Sequence, residues 1–596
     1  MNNIYKEFID SSMNLNVYRY KTDRKYHLTS QTKSKVINAS DGYAFEMPTS
    51  DFNFDYKYSK LRCKYFFNDC ILTTSYEDKN PYTVGNKYSS ASGKKGWEIY
   101  YDEWIVRYIS HDDYLKANRL EKTKENVHSY DFLGKYELVK FSYFITDSDK
   151  VEYPYYNIAI IRKLDDYKDF FLFVMKSKTD KSDDFNYIIN SFKMLPKTGK
   201  ATNLHIEYEV KENPKWNKMT KRYFKKLCNQ SSVDWGIFTK SLTSKNDGAH
   251  KYISNYFKEN ALKYDNLMQH NFELLPTYMH ISWGNMMHYF PLTLCNKLAK
   301  GNGFNGKKVL HFTFQYTSNN NSSLFGYSPT FDILRGELDD YFHQLAKDIK
   351  KYHYPVLFRL NNEMNTDWTS YSGIASLLDP DIFIYTWKRL YDIFEQENVD
   401  NCIWIFNPIH VTAPFCNWGE YLNYYPEGMV HMLGLTSYER GNMKQYDTFR
   451  KMYKNLYKKN CPHFKNFPQI ISEFGAGCGG EVLFDYEKAC FEYVEVKRNL
   501  KKQSNWVKNM FIEFNKKQQY TKNIKAAIWF SANDYGNKDG KSHIMNYFRL
   551  DDELKPTLRQ FKKGFKKKSL WCDFFLYFYS FLFLYLIKYK IEERRR

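Results

Sequence analysis

From about residue 233 to 550, short apolar runs rich in β-branched and aromatic residues alternate with longer segments of helical spacing. The runs predict strands at 235–239, 274–283, 309–316, 356–362, 403–407, 431–438, 469–473 and 526–531. Between them, 339–352 and 382–396 read as helices. Eight alternations over about 320 residues predict a (β/α)8 barrel, an α/β fold. A doubly wound open sheet gives the same alternation, but no glycine-rich phosphate loop follows the first run. Residues 15–194 are patterned differently. Apolar runs at 70–75, 97–109, 136–145, 156–162 and 170–176, with helical spacing at 184–194, predict a smaller α+β domain around an antiparallel sheet. No catalytic constellation stands out there. Residues 195–232 read as linker and lead-in, and 233–556 as the barrel domain. The LPKTG at 195–199 matches a cell-wall sorting pattern, but it lies hundreds of residues from the apolar tail that such a signal precedes, so it reads as chance.

Composition narrows the class. With 43% hydrophobic and 19% aromatic residues the chain is not disordered throughout. Only 26 Gly and 16 Pro exclude a collagen-like or low-complexity chain. A mean hydropathy of −0.67 excludes a polytopic membrane protein. The net charge of +20 invites a nucleic-acid reading. Residues 562–596, however, hold ten basic against three acidic residues, and the remaining excess is spread over helix-like and loop segments. A solvated lysine-rich surface explains that better than a binding stripe, so no nucleic-acid partner is expected. Within this tail, 570–587 is almost wholly apolar, near the lower length for a membrane span. It reads equally as a membrane anchor and as an extension without structure. The N-terminal MNNIYKEFIDSS has no apolar core of the length a secretory signal needs, so either the protein is not exported by that route or this start is incomplete. The ten cysteines include no C-x-x-C pair and read as reduced, partly buried thiols, with a Cys63–Cys70 disulfide left open.

The candidate chemistry sits at strand ends. Glu363 lies in RLNNEMN (359–365) and Glu473 in IISEFG (470–475), each just after an apolar run. A carboxylate at such a position is costly unless it is paired or used. Two opposed carboxylates suit glycoside hydrolysis: one protonates the leaving oxygen, and the other attacks the anomeric carbon or activates a water that does. His280, Gln315 and Asn407 end the second, third and fifth strands and are candidates to bind sugar hydroxyls. Glu439, Glu420 and Glu481 are rival acids, read as solvated in polar loops. No Asp/His/Glu cluster has metal-ligand spacing, so neither metal nor cofactor is expected.

Five stretches, in order, resemble glycoside hydrolase family 26, the β-mannanase-type family. ILRGELDDYFHQLAKDIKKYHYPVLFRLNNEMNTDW is similar to the family's helix, fourth strand and acid motif; DNCIWIFNP and VHMLGLTSY to its fifth and sixth strands; FPQIISEFG to its nucleophile strand; IKAAIWFSAND to its eighth. The resemblance implies that Glu363 is the general acid/base and Glu473 the nucleophile of a retaining hydrolase. It implies that Tyr438 orients the nucleophile and that Arg359 steadies the nearby carboxylates. Trp529 matches an aromatic platform under a sugar ring and Trp368 the aromatic that follows the acid motif; with Trp283 they offer flat apolar faces suited to a pyranose. The chain departs from the family at Asn362, where the family usually has histidine; in the wider clan an asparagine there contacts the sugar 2-hydroxyl. That departure leaves the catalytic pair intact and loosens the substrate. The expected substrate is therefore a β-linked polysaccharide or oligosaccharide, with endo-β-1,4-mannanase action first and mixed-linkage glucan or xylan next. An extracellular or membrane-associated location follows from that substrate class. A catalytically silent carbohydrate-binding or polysaccharide-assembly protein is the alternative from another class.

Overall fold

The computed structural model describes residues 16–22, 25–32, 34–38, 41–55, 62–77, 121–124, 128–130, 134–145, 151–163, 170–195, 207–239, 262–283, 286–299, 308–319, 329–366, 369, 371, 376, 379–409, 421–443, 446–485, 490–550 and 555–566. The readings at 97–109, at LPKTG beyond Leu195 and at 570–587 lie outside them. Among the described residues, no helix is long and apolar enough to cross a membrane.

Eight parallel strands close into a barrel: β1 (Asp234–Phe238), β2 (Leu274–Trp283), β3 (Val309–Asn319), β4 (Val356–Leu360), β5 (Cys402–Phe406), β6 (Met432–Glu439), β7 (Gln469–Ala476) and β8 (Ile524–Phe530). Each pairs with the next, and β1 pairs with both β8 and β2, which completes the ring. Side chains alternate between lumen and helix layer, as the two-residue period of a strand requires. On β4, Val356, Phe358 and Leu360 join the outer core, while Leu357 faces inward with Ile403, Ile405, Met432, Ile470, Ala526 and Ile528.

The outer layer includes α4 (Asp339–Tyr352), α5 (Pro380–Gln396), α6 (Phe449–Phe464) and α7 (Leu500–Asn515), after α1 (Lys218–Asn229), α2 (Leu262–Met268) and α3 (Leu292–Ala299). Helix α1 lies in the stretch read as linker. Its lysine-rich sequence hides Thr220, Phe224 and Leu227, one turn apart, which bury with Trp216 against the inward residues and floor the barrel. Asn217 caps the helix by accepting the Thr220 N–H at 2.9 Å, and the Trp216 indole donates to the Cys402 carbonyl at 2.7 Å. At the other end, residues 555–566 form a last helix beyond the expected boundary at 556. Its Phe561 and Phe565 pack on Phe511, Trp235 and Trp529. Gly564 is required there, because a Cβ would meet the Phe511 ring at 2.4 Å.

The N-terminal unit is chiefly β. One sheet orders Asn16–Thr22, Lys25–Thr32, Lys35–Asn38, Tyr43–Glu46 and Lys193–Met194; a larger one is centred on Cys70–Glu77, Phe170–Ser177, Tyr155–Lys163 and Gly134–Phe144. All these pairings are antiparallel. Helix Ser182–Asn190 covers a core of Tyr43, Phe45, Phe171, Phe173 and Phe192. It stops at Asn190, short of the predicted 194, where Lys193–Met194 joins the first sheet. Cys63 and Cys70 lie on adjacent strands as buried thiols that are not joined in a disulfide.

Candidate active site

The inward residues above the floor build a polar cluster at the C-terminal ends of the strands. Arg359 on β4 is fully buried. Its Nε donates to Thr313 at 2.8 Å, Nη1 to the Asn407 amide oxygen at 3.1 Å, and Nη2 to both the Tyr278 hydroxyl and Glu473 Oε1 at 2.6 Å. Burial alone weakens a guanidinium's hold on its proton, but Tyr278 and Glu473 outweigh burial and raise its pKa. Asn407 is held in turn by donating to Thr436 at 3.0 Å. Gly434 on β6 makes room for it: a Cβ there would lie 2.6 Å from the Asn407 side chain.

Glu473 reaches this cluster through a break in regularity. Ile470 faces the lumen and Ile471 the helix layer, so strict alternation would send Glu473 outward. The pairing with β6 slips between Leu435/Thr436 and Ile471/Glu473. Ser472 is thus an extra residue, a β-bulge, and it turns Glu473 into the lumen and Phe474 out to Trp506 and Trp529. There Glu473 Oε1 accepts from Tyr278, from Arg359 and, at 3.4 Å, from Asn362; Oε2 accepts from Tyr438 at 2.9 Å. Burial first, and the Glu473 charge with it, push both tyrosines well above the ordinary phenol pKa, so both stay donors.

Glu363 leaves β4 on a strained turn. Asn361 and Glu363 both have left-handed backbone, φ 43° and 59°, which for a glutamate costs of order 1–3 kcal/mol. The turn is pinned on three sides. The Asn361 amide oxygen accepts the Tyr316 N–H at 2.8 Å, the Glu363 N–H donates to the Asn407 carbonyl at 2.8 Å, and the Thr366 hydroxyl donates to the Glu363 carbonyl at 2.8 Å. The charges of Glu363 and Glu473 both act on Tyr371 and on Tyr438, so the two carboxylates bear on one site. Gln315 donates to the Asn362 amide oxygen at 3.0 Å and to the Tyr371 hydroxyl at 3.1 Å, and Tyr371 donates to the Asn362 carbonyl at 2.7 Å.

The structure therefore gathers Glu473, Arg359, Asn362, Tyr438, Gln315 and Asn407, with Glu363 beside them. His280, also inward on β2, bonds Thr317; burial and then His288 depress its pKa to about 4, so it is neutral near pH 7. Trp529 is a correction. It is fully buried on the outer face of β8, donates to the Phe548 carbonyl at 3.0 Å, and is covered by Phe474, Trp506 and Phe561. The residue one step on, half-buried Phe530, faces the mouth, stacked 5.1 Å from Phe238 and edge-on to Tyr438. Trp368 lies outside the described residues, as does Glu420. Tyr278, Tyr371 and Thr313 were not singled out from sequence; alternation alone places Tyr278 on the face of His280 and Thr313 on that of Gln315.

Glu439 corrects another expectation, since it is 4% exposed rather than solvated. It accepts the Asp447 N–H at 2.5 Å, and burial raises its carboxyl to about 8. The folded chain thus keeps this proton while the unfolded chain loses it near the ordinary 4.5, so folding stability falls as pH rises from about 4.5 to about 8. Glu439→Gln is expected to flatten that slope. Thermal midpoints across the window check it: the gap between variant and wild type should widen by several degrees toward pH 8, and a constant gap would refute the assignment. Glu481 is half-buried, accepting from Tyr547 at 3.1 Å and the Ile544 N–H at 3.3 Å. Among the described residues, no group of three His, Cys, Asp or Glu side chains is placed to hold a metal.

A family model described as glycosyl hydrolase family 26 matches residues 297–510. No curated protein matches the chain. Among solved structures, a mannanase of Bacillus subtilis is similar at 14% identity over 54% of this chain and 89% of its own, with a TM-score of 0.36. A β-mannanase from a symbiotic protist of the termite Reticulitermes speratus, complexed with gluco-manno-oligosaccharide, is similar at 12% identity over 60% and 96%, with a TM-score of 0.39. A family 26 β-mannanase from Bacteroides ovatus is similar at 12% identity over 59% and 93%, with a TM-score of 0.36.

Proposed function

We propose, from the premise that the barrel belongs to glycoside hydrolase family 26, that this protein cleaves β-linked polysaccharide by double displacement. Glu473 is the nucleophile and Glu363 the general acid/base. The observation that carries the reading is the donor set on Glu473: Tyr278, Arg359 and Asn362 on Oε1 and Tyr438 on Oε2. Such donors hold the carboxylate in one orientation in the lumen. They also distinguish its oxygens. Oε2, with one donor, keeps a lone pair for the anomeric carbon, while Oε1 becomes the carbonyl oxygen of the glycosyl-enzyme. Glu363 protonates the departing glycosidic oxygen and then takes a proton from the water that releases the sugar.

Asn362 and Gln315 offer amide groups for ring hydroxyls, and Phe530 offers an apolar edge for the sugar's C–H face. Mannan is the first candidate polymer, followed by mixed-linkage glucan and xylan. Incubating the chain with mannan, mixed-linkage glucan, cellulose and xylan, and following products by proton NMR, tests the whole reading. The β-anomer should appear first from mannan. A first-formed α-anomer would overturn double displacement, and oligosaccharide binding without turnover on any polymer would favour the silent-binder alternative.

A further inference from the structure

The N-terminal unit meets the barrel at a buried charge cluster. Lys176, on strand Phe170–Ser177, is 1% exposed, and its Nζ donates to Asp379 at 2.9 Å and to Asp381 at 2.6 Å. Lys64, on strand Arg62–Phe67, donates to both oxygens of Asp381 at 2.7 Å. Tyr156 donates to Asp379 at 3.1 Å. Three residues of one unit thus converge on two carboxylates of the other. Burial opposes the charge on Asp381, but Lys176 and then Lys64 outweigh it and hold the carboxyl well below its usual range.

Those carboxylates occupy a particular place. Asp379 is the N-cap of α5, accepting the Asp381 N–H at 3.0 Å, and its own N–H donates to the Ser376 carbonyl at 2.9 Å. Helix α5 reaches the strained acid/base turn through β3: its Thr386 carbonyl accepts the Tyr316 hydroxyl at 3.0 Å, and the Tyr316 N–H donates to the Asn361 amide oxygen at 2.8 Å. The N-terminus of α5 is held by Lys176, Lys64 and Tyr156. Without them, two carboxylates two residues apart would face each other with no cation supplied from the N-terminal unit. Like charges at that spacing repel, and desolvating them unpaired is costly.

We propose that Lys176 is a positioning residue for the hydrolytic reaction: by neutralising Asp379 and Asp381 it holds the N-terminus of α5, and through Thr386, Tyr316 and Asn361 the turn that carries Glu363, so that the N-terminal unit completes the acid/base side of the site. The unit is then part of the catalytic body rather than a tethered module. This rests on the hydrolase reading above, with Glu363 as the acid.

The test uses the full chain with Lys176→Met, Lys176→Arg and the milder Tyr156→Phe. Two substrates are compared through kcat/KM, which reports formation of the glycosyl-enzyme. One is the polymer, whose leaving oxygen needs a proton; the other is a dinitrophenyl glycoside, whose leaving group does not. Lys176→Met should lose tenfold or more on the polymer and little on the dinitrophenyl glycoside. Lys176→Arg should recover part of the loss, and Tyr156→Phe should show the same bias more weakly. Equal losses on both substrates, tracking the folded fraction seen by circular dichroism, would overturn the proposal, as would wild-type kinetics in Lys176→Met. A wild-type chain inactive on both substrates would instead overturn the hydrolase reading and take this proposal with it.

Discussion

Glu473→Ala is expected to lower kcat on the polysaccharide by about four decades or more, which is about 5.5 kcal/mol at 1.36 kcal/mol per decade. On the double-displacement reading, alanine removes the oxygen that would attack the anomeric carbon and leaves Tyr278, Arg359, Asn362 and Tyr438 facing a void. That void is lined by donors and can seat a small anion. With an activated aryl glycoside, added azide should therefore restore turnover and yield an α-glycosyl azide, because azide enters from the face that the carboxylate has vacated. Mass spectrometry and NMR of the product check both points. Activity retained in the absence of azide, or a β-azide product, would contradict the nucleophile assignment. The change also leaves the buried Arg359 guanidinium without its carboxylate, at a cost of about 3–5 kcal/mol, so kcat is compared under conditions where circular dichroism shows the variant folded.

Arg359→Met is expected to cost both fold and function. The guanidinium is the hub of the lumen, donating to residues of β2, β3 and β7 and to Asn407 just past the end of β5. Breaking a buried pair by removing one partner costs about 3–5 kcal/mol, because the other charge stays buried and uncompensated. Activity should fall by roughly three decades beyond any loss of folded protein, as Glu473 loses its cation and Tyr278 its orientation. Lysine should not rescue it: one ammonium cannot reproduce a planar fork aimed at four acceptors. Denaturant midpoints together with kcat, taken where the variant is folded, separate the two effects. A stable, active Arg359→Met would remove the guanidinium from any role in holding the nucleophile.

The barrel was legible because eight apolar runs repeat at βα spacing, and both glutamates were legible because they end such runs. What escaped was set by geometry that pattern does not carry. Trp529 and Phe530 are neighbours, and which of them faces the lumen depends on the register of β8 with Ile528 and Ala526. Glu439 follows Tyr438 in a polar stretch, yet it is buried and held by the Asp447 N–H of the β6–α6 turn. Helix α1 was hidden by lysines whose charged ends stay outside while Phe224 and Leu227 turn in. The contact of Lys176 with Asp379 spans 203 residues, and no local pattern announces a pairing of that range.

The bulge at Ser472 makes the chemistry of this barrel a matter of parity. From Ile470 on the floor to Glu473 at the mouth the count is odd, and only the extra residue allows both to face the lumen. The same strand drawn into regular pairing, with Ser472 kept but no bulge, would retain its composition and its hydrophobic pattern. It would nevertheless present Phe474 to the lumen and turn the carboxylate out toward Trp506. Grafting this strand onto another scaffold therefore requires copying the bulge, or removing its extra residue, as carefully as copying the glutamate itself.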